Sequence, residues 1–361
     1  MDRAGAFPCE TAGLGVRSLG GTRPAVPYTE VSIVRMKWAA LAAVVSYLVL
    51  SSTPAIASAA DEAPAAGPVA ITSDVAFAAS APDLTVWSPP LLDVYAPEDA
   101  QGLPLVVMLP PHSLTKTGSA ALTQLANAVA GQGAVVVVTN WSQLADPPDT
   151  FEDPAALEEI AWLGQSYAGC AVSFAVSQAG EYGADPSRLV VVGQLFGANT
   201  ASMIALGSPD PFAGCEATAD WEATGLVAWD ADWLVGMPAW DALGPDAARA
   251  VDALSPWSIL GEAPRIPVEL VVSDTWVAAT QRCGDRDADW MVWRDPSGSM
   301  RERLDEVGAF DDGCQDLGEG AAAMAKQLTA AGFPAGVVRL TGSDLAPLAE
   351  AIAKVTQAPI R

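Results

Sequence analysis

The 361-residue sequence predicts an α/β protein: one mostly parallel sheet of about eight strands, flanked by helices, in a single domain with lid-like insertions. Three observations predict it. Short continuous apolar runs recur along the chain, as expected of strands buried on both faces of a parallel sheet. Stretches of helical character separate these runs, so β-α units repeat after an antiparallel start. One run, LVVVGQLFGANT at 189–200, passes directly into a helix through Gly193 and Gly197. Half the residues are hydrophobic (51%) and 17% are charged, a composition that builds a core.

The elements follow in order. β-like runs come first, at Val75–Ala79, Leu84–Trp87 and Leu91–Tyr95. Leu105–Leu109 precedes a helix near Ala120–Ala130, and Ala134–Val138 precedes a long helix near Ala155–Gln178. Leu189–Val192 leads into a helix starting near Phe196, and Leu226–Trp229 into a segment containing Asp241–Leu254. Val268–Val272 is followed by a polar insertion bounded by Cys283 and Cys314, then by a helix near Ala321–Ala331. Val337–Leu340 and a helix over Leu345–Val355 end the chain. No internal repeat interrupts this order.

Ahead of the domain, residues 36–59 have the anatomy of a signal peptide: Lys37, an apolar run from Trp38 to Leu50, then small residues with Ala57 and Ala59 suited to A-x-A cleavage. The run is too short for the roughly 20 residues that span a bilayer, and Pro54 stops its extension. Residues 1–35 are expected to be a misassigned upstream extension, with Met36 the true start, and residues 60–74 an Ala/Pro-rich linker before the domain at 75–361. The expected location is therefore extracellular or periplasmic, without stable membrane insertion after cleavage. Cleavage removes Cys9 and leaves Cys170, Cys215, Cys283 and Cys314, an even number that predicts two disulfides in an exported chain. Three connectivities are open. We expect Cys283–Cys314, which staples the polar insertion, together with Cys170–Cys215. No CxxC or CxH spacing suggests a metal site, and no cofactor motif is present.

The formal charge of −25, from 43 acidic against 18 basic residues, repels phosphate backbones, so nucleic acid is excluded as a partner. The chain has one histidine, His112.

Glycines two positions either side of residue 195 let a strand and a helix approach around a sharp turn, the geometry of a nucleophile elbow. Alone, the spacing is weak, because nucleotide-binding folds also place glycines there. Its neighbours extend the pattern. The stretches LLDVYAPEDAQGLPLVVMLPPHS (91–113), GAVVVVTNW (133–141) and ALEEIAWLGQSYAGCAVSFAVSQAGEYGADPSRLVVVG (156–193) precede it, and SPWSILGEAPRIPVELVVSDTWV (255–277) and GFPAGVVRLTGSD (332–344) follow it. In this order, over nearly the whole of residues 75–357, the chain resembles the α/β-hydrolase fold and, within it, the carboxylesterase and lipase group. The resemblance implies an oxyanion loop after the 105–109 strand, a nucleophile at 195, an acid after one of the later strands, and a histidine after the last strand.

The chemistry implied is not matched at those positions. Leu195 stands where the family has serine and has no group able to attack a carbonyl. Leu345 stands at the histidine position. Pro111, in the oxyanion loop beside His112, offers no backbone N–H. The acid alone is retained, as Asp274 or Asp230. In serine hydrolases the loss of one triad member costs about a millionfold, so the expectation is a catalytically inactive protein. Ser202, two helical turns beyond Leu195, is expected to face packing and not a cleft. The alternative is an active carboxylic-ester hydrolase with a non-standard nucleophile.

Ligands of open α/β sheets bind outside the carboxyl ends of the strands. That places Pro111, His112, Trp141, Gln194, Leu195, Phe196, Trp229, Asp274 and Trp276 in a candidate binding cleft, with Asp232, Trp233, Trp290 and Trp293 in the segments around it. A tryptophan-rich cleft with carboxylates suits a sugar, an aromatic molecule or a cation. A protein partner is the other possibility. The competing reading is that these tryptophans pack the core.

Overall fold

The computed structural model describes residues 68–79, 89–111, 115–141, 154–207, 214–215, 217, 219–231, 256–274 and 317–358, all within the compact unit Ser58–Arg361. The expected extension at 1–35, the signal peptide at 36–59, the 84–87 run, the 241–254 segment and the Cys283–Cys314 insertion lie outside the described residues. So do His112, Asp232, Trp233, Trp276, Trp290 and Trp293.

Eight strands form one sheet: β1 Val69–Ala76, β2 Leu91–Pro97, β3 Leu103–Leu109, β4 Val135–Thr139, β5 Ala184–Gln194, β6 Gly225–Trp229, β7 Val268–Ser273 and β8 Ala335–Leu340. Their spatial order is β1-β2-β4-β3-β5-β6-β7-β8. β2 runs antiparallel to both neighbours, and every pairing from β4 to β8 is parallel. The helices are α1 Ala120–Gly131, α2 Pro154–Gln178, α3 Phe196–Gly207, α4 Leu317–Ala330 and α5 Ala346–Thr356.

The apolar runs are continuous because two cores use alternate residues of the same strands. Leu105, Val107, Leu109, Val191, Leu226, Ala228, Leu270 and Val272 face the layer formed by α2, α3 and α4. Val106, Met108, Val190, Val192, Val227, Trp229 and Val271 face α1 and α5. Successive side chains of a strand point to opposite faces, so a strand covered on both sides is apolar at nearly every position, and the buried carboxylates of Asp93 in β2 and Glu269 in β7 are paired with Lys116 and Lys354. At roughly 25 cal/mol per Å² of buried apolar surface, these two layers are the main stabilising term of the fold.

The first strand departs from expectation. It begins at Val69, so part of the stretch read as a linker belongs to the sheet, and it ends before Phe77. β1 is an edge strand, and Ala70–Asp74 are solvent-exposed. An edge with one flank unpaired needs little apolar content, and the sequence therefore carries no strand signal there. A bulge between Thr72 and Val75, with Asp74 at φ 59°, breaks what period remains. β5 likewise starts five residues before its apolar run, at Ala184, and passes through exposed Pro186 and Ser187.

Cys170 of α2 is disulfide-bonded to Cys215. The bond ties the segment after α3 to α2, and Cys215 also forms an isolated antiparallel β-bridge with Ala78, just beyond β1. Among the described residues no helix is long and apolar enough to cross a membrane.

Candidate functional site

The site lies at the carboxyl ends of β3, β5, β6 and β7, where the strand-turn-helix at residue 195 projects. Leu195 has φ 53°, in the left-handed region, at a cost of about 1–2 kcal/mol for a residue with a Cβ. Packing imposes this conformation. A Cβ on Gly193 would stand 2.1 Å from the Gly197 carbonyl oxygen, and one on Gly197 would stand 2.4 Å from that of Pro110. Strand β5 and helix α3 thus meet backbone to backbone, and the chain must reverse over the single residue between them. The Leu195 N–H donates to the Trp229 carbonyl (2.9 Å), and the Leu195 carbonyl accepts from Ala198 N–H (2.8 Å) as α3 begins. The Leu195 side chain is half-buried, and Phe196 beside it is 44% exposed.

Trp141 lies buried in the core, and its indole N–H donates to the Pro110 carbonyl at 2.6 Å. It props the start of the loop after β3 and offers no ring face to solvent. Pro111, the residue after Pro110, is also buried. Ser119 caps α1 by accepting from Leu122 N–H (3.2 Å), and its hydroxyl donates to the Gln194 side-chain carbonyl at 3.2 Å, linking the loop to the elbow. Trp229 is 4% exposed and packs in the α1/α5 core. The two described tryptophans of the expected cleft are therefore core residues. Alternation along β6 accounts for Trp229, since a strand covered on both faces buries every position.

The acids separate clearly. Asp230, with φ 50°, is 6% exposed; its carboxylate accepts from Ser273 N–H at 2.6 Å and from the Ser273 hydroxyl at 2.7 Å. Burial pushes its pKa up to about 6, although these two bonds and the nearby Trp229 indole oppose the shift. The indole nitrogen makes no hydrogen bond of full geometry. Asp274, the next residue after Ser273, is exposed. The strand ends of β6 and β7 thus bring both candidate acids to one place, with Asp230 inside and Asp274 outside. Ser273, which orients Asp230, has no sequence signature.

Leu345 immediately precedes α5 as its N-cap, makes no side-chain capping bond, and packs half-buried against the same core layer as Trp229. Ser202 is fully buried, and its hydroxyl donates to the Ala198 carbonyl at 2.7 Å, spent within its own helix. Among the described residues no group of His, Cys, Asp and Glu is arranged to hold a metal ion. A pocket of about 220 Å³ lined by Leu103, Arg188, Ile352 and Thr356 lies at the amino ends of β3 and β5, the opposite end of these strands from the elbow.

No protein-family model matches the sequence, and no curated protein matches it. In overall structure the chain is similar to esterase B from Lactobacillus Rhamnosis (HN001), at 11% identity and a TM-score of 0.49, covering 87% of this chain and 84% of that one. It is similar to esterase Est22 at 15% identity and a TM-score of 0.46, covering 81% of each. A hyperthermophilic esterase from the archaeon Pyrobaculum calidifontis gives 20% identity and a TM-score of 0.38, covering 80% of this chain and 83% of that one. The strand order with β2 alone reversed, and the left-handed turn between β5 and α3, carry the assignment: the chain has the α/β-hydrolase fold.

Proposed function

We propose that the protein is an exported, catalytically inactive α/β-hydrolase-fold protein that uses the mouth around the elbow to bind a ligand. The observation that carries this reading is the elbow itself. It holds a residue at φ 53° in the nucleophile position, and that residue is leucine. The position expected to supply a base is leucine too, and the chain's one histidine belongs to the other side of the motif order. Nucleophilic acyl transfer needs a lone pair at the first position and a proton acceptor near it. Neither leucine supplies one.

The surface left at the mouth is apolar and acidic: half-buried Leu195 and Gln194, exposed Phe196, and exposed Asp274 at the end of β7. An aromatic or cationic molecule suits a phenyl ring and a carboxylate better than an anion does. The burial of Trp141 and Trp229 removes two of the rings on which a sugar was expected to stack.

Two measurements test the reading. A chromogenic short-chain ester assay on the purified protein is expected to show no turnover above a heat-treated control. Turnover abolished by a substitution at the mouth would establish an active hydrolase with a non-standard nucleophile instead. Leu195→Ser alone is expected to remain inactive, because no base accompanies it. Titration with sugars, aromatic esters and cationic amines, followed by tryptophan fluorescence and calorimetry, is expected to give saturable binding in the last two classes. A flat response throughout would remove the binding role. Export is tested by amino-terminal sequencing of the mature protein, with cleavage expected near Ala59.

A further inference from the structure

Lys116 is one of four lysines in the chain, and it is buried at 6% exposure. Its ammonium lies 2.5 Å from the Asp93 carboxylate of β2, which is 3% exposed, and 2.9 Å from the Asp74 carboxylate at the β1 bulge. The Asp93 carboxylate also accepts from Asp74 N–H at 2.9 Å, so it helps hold the bulge. The Lys116 backbone N–H donates to the Asn140 side-chain carbonyl at 2.8 Å. Asn140, at the end of β4, is itself fixed: its side-chain amide donates to the Pro89 carbonyl and its backbone N–H to that of Leu91, both at 2.9 Å. One residue of the loop between β3 and α1 is thereby bound to β1, β2 and β4 at once.

We propose that Lys116 is a positioning residue that sets residues 115–119, which lead into α1, against the sheet, so that the Ser119–Gln194 contact beside the elbow is preformed. Three fixed points lie among the described residues between β3 and α1. Trp141 holds Pro110 where β3 ends, Lys116 holds the middle, and Ser119 joins the start of α1 to Gln194 next to Leu195. Lys116 is the only charged member of the three and the only one reaching the edge strand. A buried ammonium has a high desolvation cost unless carboxylates surround it, which makes its place specific: any shift of the loop separates the charge from Asp93. The proposal concerns the geometry of the mouth and holds whether or not a ligand binds there.

Hydrogen exchange of the full chain, followed by mass spectrometry under native conditions, tests it. Among the described residues of this segment, Lys116 N–H and Gly118 N–H, the latter bonded to the Thr115 carbonyl at 2.8 Å, are hydrogen-bonded amides whose exchange reports on it. In Lys116→Met these amides are expected to exchange about 150-fold faster or more, as loss of one partner of a buried pair implies, while the amides of β5, β6 and β7 keep their protection. Lys116→Arg is expected to recover part of the loss. Asp74→Asn, whose carboxylate is 69% exposed, leaves the Asp93 pair in place and is expected to fold; it should speed the same amides about two- to fivefold. Loop amides within a factor of two of wild type in both Lys116→Met and Asp74→Asn would overturn the proposal. A parallel rise across the loop and all strands would also overturn it, because Lys116 would then contribute to global stability and not to the position of the loop.

Discussion

Gly197→Ala is the substitution that most directly probes the elbow. The added Cβ would lie 2.4 Å from the Pro110 carbonyl oxygen, 2.6 Å from that of Leu109, and 3.1 Å from the Leu109 carbonyl carbon. Ordinary contact begins near 3.4 Å, so about 1 Å of movement is required. The obstructing atoms are backbone at the end of β3, where Leu109 pairs in register with Gly193 of β5. No rotamer change relieves the clash, and α3, buried along Gly197–Leu206, must move outward as a body. Overpacking of a core typically costs 1–3 kcal/mol, and a backbone obstacle places this case at or above the upper limit, about 3 kcal/mol. For a chain of this size that corresponds to a fall in Tm of about 6 °C or more. Urea unfolding of Gly197→Ala is to be compared with Gly180→Ala, where an added Cβ meets nothing within 4 Å. The control is expected to lie within about 0.5 kcal/mol of wild type. A Gly197→Ala midpoint matching that of the control would refute the packing of β5, α3 and β3 described above.

Three further outcomes follow from named contacts. Replacing Cys170 and Cys215 by serine opens a covalent loop with a sequence separation of 45; chain entropy predicts a loss of about 4 kcal/mol, measurable by urea unfolding with and without reductant. Asp230 has a folded pKa raised from 3.8 to about 6, so its ionised form is disfavoured by folding. Its contribution is therefore best below pH 4, declines as pH rises to about 6, and then stays constant at a cost of about 3 kcal/mol. Asp230→Asn, which keeps an acceptor for Ser273 N–H, is expected to unfold at higher urea than wild type at pH 8 and to flatten the stability profile between pH 4 and 6; an unchanged profile would show that another group titrates there. Gly336→Ala is expected to destabilise, since its Cβ would lie 2.6 Å from the buried Glu269 carboxylate, which is paired with Lys354, and thermal unfolding checks this.

The sheet was legible wherever burial on both faces made a strand an almost continuous apolar run, as at Val135–Thr139 and Gly225–Trp229. It was not legible at β1, because an edge strand facing water along Ala70–Asp74 satisfies no apolar period. At the site, the glycine pair and the leucine between them could be read from spacing. The burial of Trp141 and Trp229 could not, because position after a strand does not say which face a ring takes. Nor could the Lys116–Asp93 pair: the partners are 23 residues apart and meet only through the antiparallel turn of β2 beside β4. Asp93 in the middle of LLDVY was the available signal, since a carboxylate inside a buried apolar run calls for a cation or for hydrogen-bond donors.

The elbow also limits what fold alone implies about chemistry. A non-glycine residue in the left-handed region is usually taken as strain kept for function. Here the strain has a packing cause that needs no reaction. The Gly193 and Gly197 contacts leave no room for a gentler turn, and the bond from Leu195 N–H to the Trp229 carbonyl joins the turn to β6. A chain that lost its nucleophile would keep the same backbone as long as β5, α3 and β3 stayed packed, because relaxing residue 195 would separate elements buried on both sides. The conformation at 195 therefore carries information about the fold, and the side chain there carries the information about activity. In this protein that side chain is leucine, which has no group able to attack a carbonyl, and it bears on any reaction more directly than does the sharpness of the turn.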